Sequence, residues 1–216
     1  GAGKTTMFNC LSRLCHWQKG AIRVRGRSLA GLPPHAMAGL GIGRTFQNVA
    51  LFNGLTVRQN VLVGALGQAR GSNALARWRA ASCERSRLGG LVDQMLDHFE
   101  LTDVQATAVS ELPFGTRKRV EFARAMAMGP KLLLLDEPAA GLNHAEVDGL
   151  ALTISEVRRR FEVTVLLVEH HMNLVMRVSD QVVALNFGRL IADGAAGEVS
   201  QNEAVIEAYL GGAPAW

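Results

Sequence analysis

An α/β fold with a mostly parallel sheet and an inserted helical subdomain is the architecture this sequence predicts, and three observations predict it. Two apolar runs, "KLLLLDEP" and "VTVLLVEHH", are continuous rather than alternating, the pattern of strands buried on both faces. A helical stretch, "HAEVDGLALTISEVRRR", separates them, and strands alternating with helices imply parallel pairing. Between about Thr56 and Ser110, by contrast, only helical patterns occur. With 216 residues, 48% of them hydrophobic, the chain can bury one substantial core.

The elements follow in order. The chain opens on a glycine turn, "GAGKTT", after which Met7, Phe8, Leu11 and Leu14 recur at helical spacing, so the turn leads into a helix. Beyond Gly20, "AIRVRG" alternates like a short strand, and Pro33-Pro34 with the glycines from Gly39 to Gly43 mark loops ahead of "RTFQ". In the helical stretch Leu88, Leu91, Val92, Met95, Leu96 and Phe99 share one face, with "GQARGSNA" as a join. After Gly115 a basic, alanine-rich helix runs from about Thr116 to Met128 and stops at Gly129-Pro130. "VVALNFGRLIADG" predicts a hairpin around Asn186-Phe187-Gly188, and a final helix runs to about Leu210. The expected division is 1–50 and 116–216 as two parts of one core, with 51–115 as the helical subdomain.

Charge and cysteine usage narrow the class. The net charge is only +4, and the arginines of "ARWRAASCERSR" and "VRRR" read as solvated helix faces, so nucleic acid is not an expected partner. Cys10, Cys15 and Cys83 are odd in number and form no metal-type spacing; they read as reduced thiols, the first two on a helix. No apolar run approaches the roughly 18 residues of a membrane span.

Four segments carry chemistry. At a glycine turn opening a helix, successive backbone N–H groups can cradle phosphate, Lys4 can reach the β- and γ-phosphates, and the Thr5 hydroxyl can ligate Mg²⁺. "LLLLDEP" delivers Asp136 to the C-terminal end of a buried strand, the ligand-binding edge of open α/β sheets. There Asp136 can hold magnesium, usually through water, and Glu137 can polarise a water attacking the γ-phosphate. "VEHH" places His170 just beyond a second buried strand, and "RTFQ" offers the neutral amide of Gln47.

Taken together, "GAGKTT", "RTFQ", "LPFGTRKR", "LLLLDEPAAGLN" and "VEHH" resemble, in that order, the ATP-binding subunits of ABC transporters, which are P-loop NTPases with a RecA-like core. "GIGRTFQNVALFNGLTVRQNV", "LDEPAAGLN" and "VIEAYLG" are most similar to the branch serving branched-chain amino-acid uptake. The resemblance implies ATP and Mg²⁺ as cofactors and a head-to-tail dimer with a second ATPase subunit, identical or not. It implies integral membrane permease subunits and, indirectly, a solute-binding protein as partners, and a place on the cytoplasmic face of the bacterial inner membrane. Gly1, Ala2, Gly3, Lys4, Thr5 and Thr6 would form the phosphate loop. Thr5, Gln47 and Asp136 would serve the metal, and Glu137, His170 and Gln47 the hydrolysis. His171 is the second choice for the switch histidine, because the family's histidine directly follows a Glu like Glu169. Leu112, Gly115 and Asn143 would meet nucleotide across the dimer.

Departures qualify the match. The family's signature, typically Leu-Ser-Gly-Gly-Gln, reads "LPFGT" here, and Pro113 supplies neither a hydroxyl nor an N–H. Asn143 stands where many relatives carry aspartate. Two other readings remain at this stage: a weakly catalytic regulatory subunit paired with an active sibling, and an ABC ATPase without a transport role. The chain begins inside the phosphate loop. The resemblance places the strand feeding that loop, its first glycine and an adenine-stacking aromatic ahead of Gly1, so the 216 residues alone are expected to bind ATP poorly.

Overall fold

The computed structural model describes residues 3–45, 50–67 and 81–210. Its centre is a three-stranded parallel sheet of β3 (Ile42–Arg44), β4 (Leu132–Asp136) and β5 (Thr164–Val168), with β4 in the middle. β4 is buried on both faces, as continuous hydrophobicity requires, whereas β5 is covered less fully, with Val165, Leu166 and Leu167 half-buried and Val168 buried. Leu133 and Leu135 join one large cluster, while Leu134 and Val168 join another beneath Phe8, Leu29, Met37 and Ile42. The register sets Asp136 level with Val168. Residues just beyond the two strands, Glu137 on one side and Glu169-His170 on the other, therefore leave the sheet at the same edge.

β3 departs from the sequence expectation, which gave that glycine-rich stretch to a loop. Its glycines serve close approach instead. A Cβ at Gly43 would stand 3.2 Å from Pro130 Cβ, and Gly41, at φ 74°, accepts N–H bonds from Lys131 and Leu132 through its carbonyl. Two short strands, β1 (Arg23–Val24) and β2 (Arg27–Ser28), form an antiparallel pair where one alternating strand was expected. The helix after the opening turn, α1 (Lys4–Leu11), buries Phe8 completely. It stops sooner than the spacing suggests: Ser12 Oγ donates back to Phe8 O, and Arg13 turns to φ 61°. Leu14 consequently lies off the buried face and is exposed, and Cys15 is exposed beyond the helix that contains Cys10. A four-residue turn of helix, α2 (Ala36–Gly39), precedes β3.

Among the described residues the helical stretch forms as expected, while the expected join at "GQARGSNA" lies, from Gln68 onward, outside them. α3 (Val57–Leu66) starts on a capping box in which Thr56 Oγ1 accepts from Gln59 N and Gln59 Oε1 accepts from Thr56 N. α4 (Ala81–His98) presents Val92, Met95 and Leu96 to the core, with Phe99 just after its end. α5 (Phe114–Ala127) begins two residues earlier than the alanine-rich pattern suggests. Its residues Val120, Phe122, Ala123, Ala125, Met126 and Ala127 pack in the same cluster as β4 and α6 (His144–Phe161). α3 and α5 meet at Gly64, where an added Cβ would lie 2.0 Å from the backbone oxygen of Arg124. Neither helix backbone can yield locally, so Gly64→Ala is expected to force the pair apart and cost about 1–3 kcal/mol. A urea midpoint unchanged by this substitution would show that the helices can separate freely.

The remaining elements close the fold. α7 (Met172–Val178) follows β5, and the hairpin of β6 (Val182–Asn186) and β7 (Arg189–Gly194) turns at Phe187-Gly188, as expected. The last helical stretch is split into α8 (Ala196–Ser200) and α9 (Glu203–Leu210). Between β5 and β6 lies a cavity of about 560 Å³ whose walls include Lys4, Met7, Leu166, Val168, Ala184 and Glu169. Among the described residues, no helix is long and apolar enough to cross a membrane.

Candidate functional site

The sheet's C-terminal edge is where the chemistry-bearing residues converge. Asp136 ends β4 with its side chain 4% exposed. Arg44, the last residue of β3, reaches it with Nη2 donating to Oδ2 at 2.7 Å. The same guanidinium donates through Nη1 to Asn9 Oδ1 at 3.0 Å and to Ser12 Oγ at 2.9 Å. Arg44 thereby ties the metal-candidate acid to the helix that follows the glycine turn. The other carboxylate oxygen, Asp136 Oδ1, is buried with no hydrogen-bond partner among the described residues. A buried oxygen left open in this way is a ready cation ligand, since hard divalent metals take carboxylate oxygen.

Glu137 follows at φ 45°, a left-handed conformation uncommon outside glycine. Its N–H donates to Val168 O at 2.8 Å, pinning the turn to β5. His170 stands opposite, its Nδ1 3.9 Å from Glu137 Oε1 and 3.8 Å from Glu169 Oε2. The imidazole is 65% exposed and the Glu137 side chain 22%, so both face an accessible space. The adjacent histidine points elsewhere: His171 sits edge-to-face with His144, ring centroids 6.2 Å apart. The geometry thus separates the two histidines, and His170 is the one beside the acid.

The glycine turn borders the same region. Gly3 adopts φ 85° at the N-terminus of α1, where no side chain caps the helix. Lys4 is half-buried and forms part of the cavity wall, while Thr5 and Thr6 are exposed in the first turn. Gly1, Ala2 and Gln47 lie outside the described residues.

The signature-like segment and the loop after β4 abut within one chain. Phe114 Cε1 lies 3.7 Å from where a Cβ on Gly141 would stand, and Glu146 Oε1 is 3.6 Å from the same position on Gly115. Leu112 is 8% exposed and belongs to the core, so it anchors this segment rather than offering a side chain to a ligand. Asn143 is the N-cap of α6: its Oδ1 accepts from Glu146 N at 3.0 Å, and Glu146 Oε2 accepts from Asn143 N at 2.8 Å. Its carbonyl oxygen is therefore committed inside the chain, which leaves the amide nitrogen for any outside contact.

Two residues of the site escaped the sequence reading. Arg44 was quoted only as the first letter of "RTFQ", and Glu169 only as the residue before His170. The available signal was the same for both: a charged residue at the end of an otherwise apolar strand must be paired or hydrogen-bonded when buried.

The chain is similar to known proteins. The ABC transporter family profile matches residues 1–140, and that of the branched-chain amino acid ATP-binding cassette transporter matches 189–215. Among curated relatives, the high-affinity branched-chain amino acid transport ATP-binding protein BraF of Pseudomonas aeruginosa is 40% identical, over 98% of this chain and 84% of that protein. The lipopolysaccharide export system ATP-binding protein LptB of Haemophilus influenzae is 31% identical, over 98% of this chain and 82% of that one. Of solved structures, an ATP-binding cassette of an ABC transporter in its ADP conformation superposes with a TM-score of 0.79 at 24% identity, covering 97% of this chain and 84% of that one.

Proposed function

This chain belongs to the ABC transporter family as an ATP-binding, ATP-hydrolysing subunit, and from that premise we propose that it drives the import of branched-chain amino acids through separate integral membrane subunits. The observation that supports the site assignment is the shared strand edge: Asp136 with one open buried oxygen, and Glu137 and His170 within 3.9 Å of each other.

In this reading Gly1 to Thr6 cradle the phosphates, with Lys4 placed on the β- and γ-phosphates. Thr5, Gln47 and Asp136 would hold Mg²⁺, which when bound neutralises charge on the phosphate oxygens. Asp136 is kept in place by Arg44, and its open Oδ1 is the atom suited to the metal or its water. Glu137 accepts a proton from the attacking water as the water oxygen bonds to the γ-phosphorus and the bond to the β–γ bridging oxygen breaks, releasing ADP, and His170 would donate to the γ-phosphate and register its departure. Phosphoryl transfer asks little covalent chemistry of the protein, so these groups act by position and charge.

Closure of two such subunits on ATP, and reopening after hydrolysis, would be the motion that is coupled to transport. For the contact with a permease helix we assign the helical subdomain, residues 51–115, together with the segment around Gln47. α3 presents Leu62, Val63 and Leu66 partly to solvent, with Phe52 51% exposed. Such an apolar stripe suits a partner helix. The chain would sit at the cytoplasmic face of the membrane through those partners. A second reading, a weakly catalytic subunit beside an active sibling, draws on α5, whose N-cap is Pro113, with no side-chain cap and no N–H there.

The test is reconstitution. The full-length protein, assembled with the permease subunits encoded beside it and a solute-binding protein, is expected to hydrolyse ATP and accumulate labelled leucine in proteoliposomes. Hydrolysis without leucine uptake would overturn the substrate, and uptake that persists when this subunit's Lys4 is replaced by Ala would favour the regulatory reading.

A further inference from the structure

We infer that Glu169 is a positioning residue for hydrolysis: a buried clamp that fixes the Glu137 turn against the His170 turn. The inference rests on the ATPase reading above, and deepens it. The Glu169 side chain is fully buried, 0% exposed, and both oxygens are occupied by backbone. Oε1 accepts from Ala139 N at 2.8 Å, and Oε2 accepts from His170 N at 2.9 Å and His171 N at 3.1 Å. One carboxylate thus joins the segment leaving β4 to the segment leaving β5.

These bonds are made to backbone N–H groups of the two turns that carry the reacting side chains. Ala139 lies two residues past Glu137, and Ala140 N donates back to Glu137 O at 3.1 Å, so the clamped segment is the turn that carries the acid. Glu137 N donates across to Val168 O at 2.8 Å, a second tie between the same two turns. Because N–H bonds to a carboxylate are roughly twice as strong as those to a neutral acceptor, Glu169 is the firmer of the two fastenings. Glu169 therefore joins the two turns whose side chains bring His170 Nδ1 within 3.9 Å of Glu137 Oε1, and its own Oε2 lies 3.8 Å from the same Nδ1. A carboxylate offers acceptor oxygens on both sides, which is what three N–H donors facing it from two sides require. A glutamine has one oxygen, and its NH₂ must face N–H groups at one end or the other.

Glu169→Gln in the full-length, assembled protein is expected to lower kcat roughly 10- to 100-fold, the scale of misplacing a catalytic group by about 1 Å, while the KM for ATP changes less than about 3-fold. The amides of Ala139, His170 and His171 should lose hydrogen-exchange protection together. An unchanged kcat would overturn the inference. So would a joint loss of ATP affinity, kcat and thermal midpoint, which is the pattern of a merely structural residue. If the variant does not fold, hydrogen exchange of the wild type decides: the three amides are expected to open as one unit, and independent fast exchange at Ala139 would refute the clamp. A wild type without ATPase activity would refute the proposed function instead, and the exchange measurement would still judge the clamp.

Discussion

Replacing Glu137 with Gln in the full-length protein is expected to reduce steady-state ATP hydrolysis by about 10²–10⁴-fold, the range in which a general base contributes. The substitution keeps the side chain's shape and removes its capacity to take a proton. Glu137 is held by its N–H bond to Val168 O and lies 3.9 Å from His170 Nδ1, so the backbone gives no reason for the turn to move. ATP binding should survive within a few-fold, because Lys4, Thr5 and Asp136 are untouched. The variant should then accumulate as an ATP-bound dimer, visible by size exclusion with nucleotide quantified in the dimer peak. Hydrolysis at the wild-type rate would remove Glu137 from the mechanism.

The largest effect on stability is expected from Arg44→Leu. The guanidinium side chain is 11% exposed and Asp136 4%, so removing the cation leaves a carboxylate buried and uncompensated. Breaking one side of such a pair typically costs about 3–5 kcal/mol. The hydrogen bonds to Asn9 and Ser12 vanish with it, so the polar brace from α1 to β4 is lost while the packing of Phe8 in the cluster with Leu134 remains. The double variant Arg44→Leu with Asp136→Asn should recover part of the loss, since the stranded charge is then gone. Urea unfolding of the single and double variants measures both. If the single change costs less than about 1 kcal/mol, the contact is not the brace described.

How much of this could be read from the letters depends on the element. β4 and β5 were legible because an apolar run without alternation has few other uses, and their ends carried the acids and the histidine. α4 was legible from a single repeating face. β3 was hidden, since Gly39 to Gly43 look like turn residues until Pro130 and Lys131 are seen to need the space. The end of α1 was hidden for the opposite reason: Leu14 continues the spacing, but Ser12 and Arg13 terminate the helix before it. At the site, residue identity announced Asp136, Glu137 and His170. The roles of Arg44 and Glu169 depend on partners 92 and 30 residues away in sequence, and such pairings emerge only when the strands are set side by side. Asn143 adds a role that its identity did not announce: its side-chain oxygen caps its own helix, which leaves the amide nitrogen for an outside contact.

The left-handed backbone at Glu137 has an evolutionary corollary. At φ 45° any residue with a β-carbon is held at a disadvantage of about 1–2 kcal/mol against glycine. A library of variants screened for heat resistance alone should therefore drift toward glycine at this position and discard the acid. Only selection for growth on the transported nutrient would keep it there.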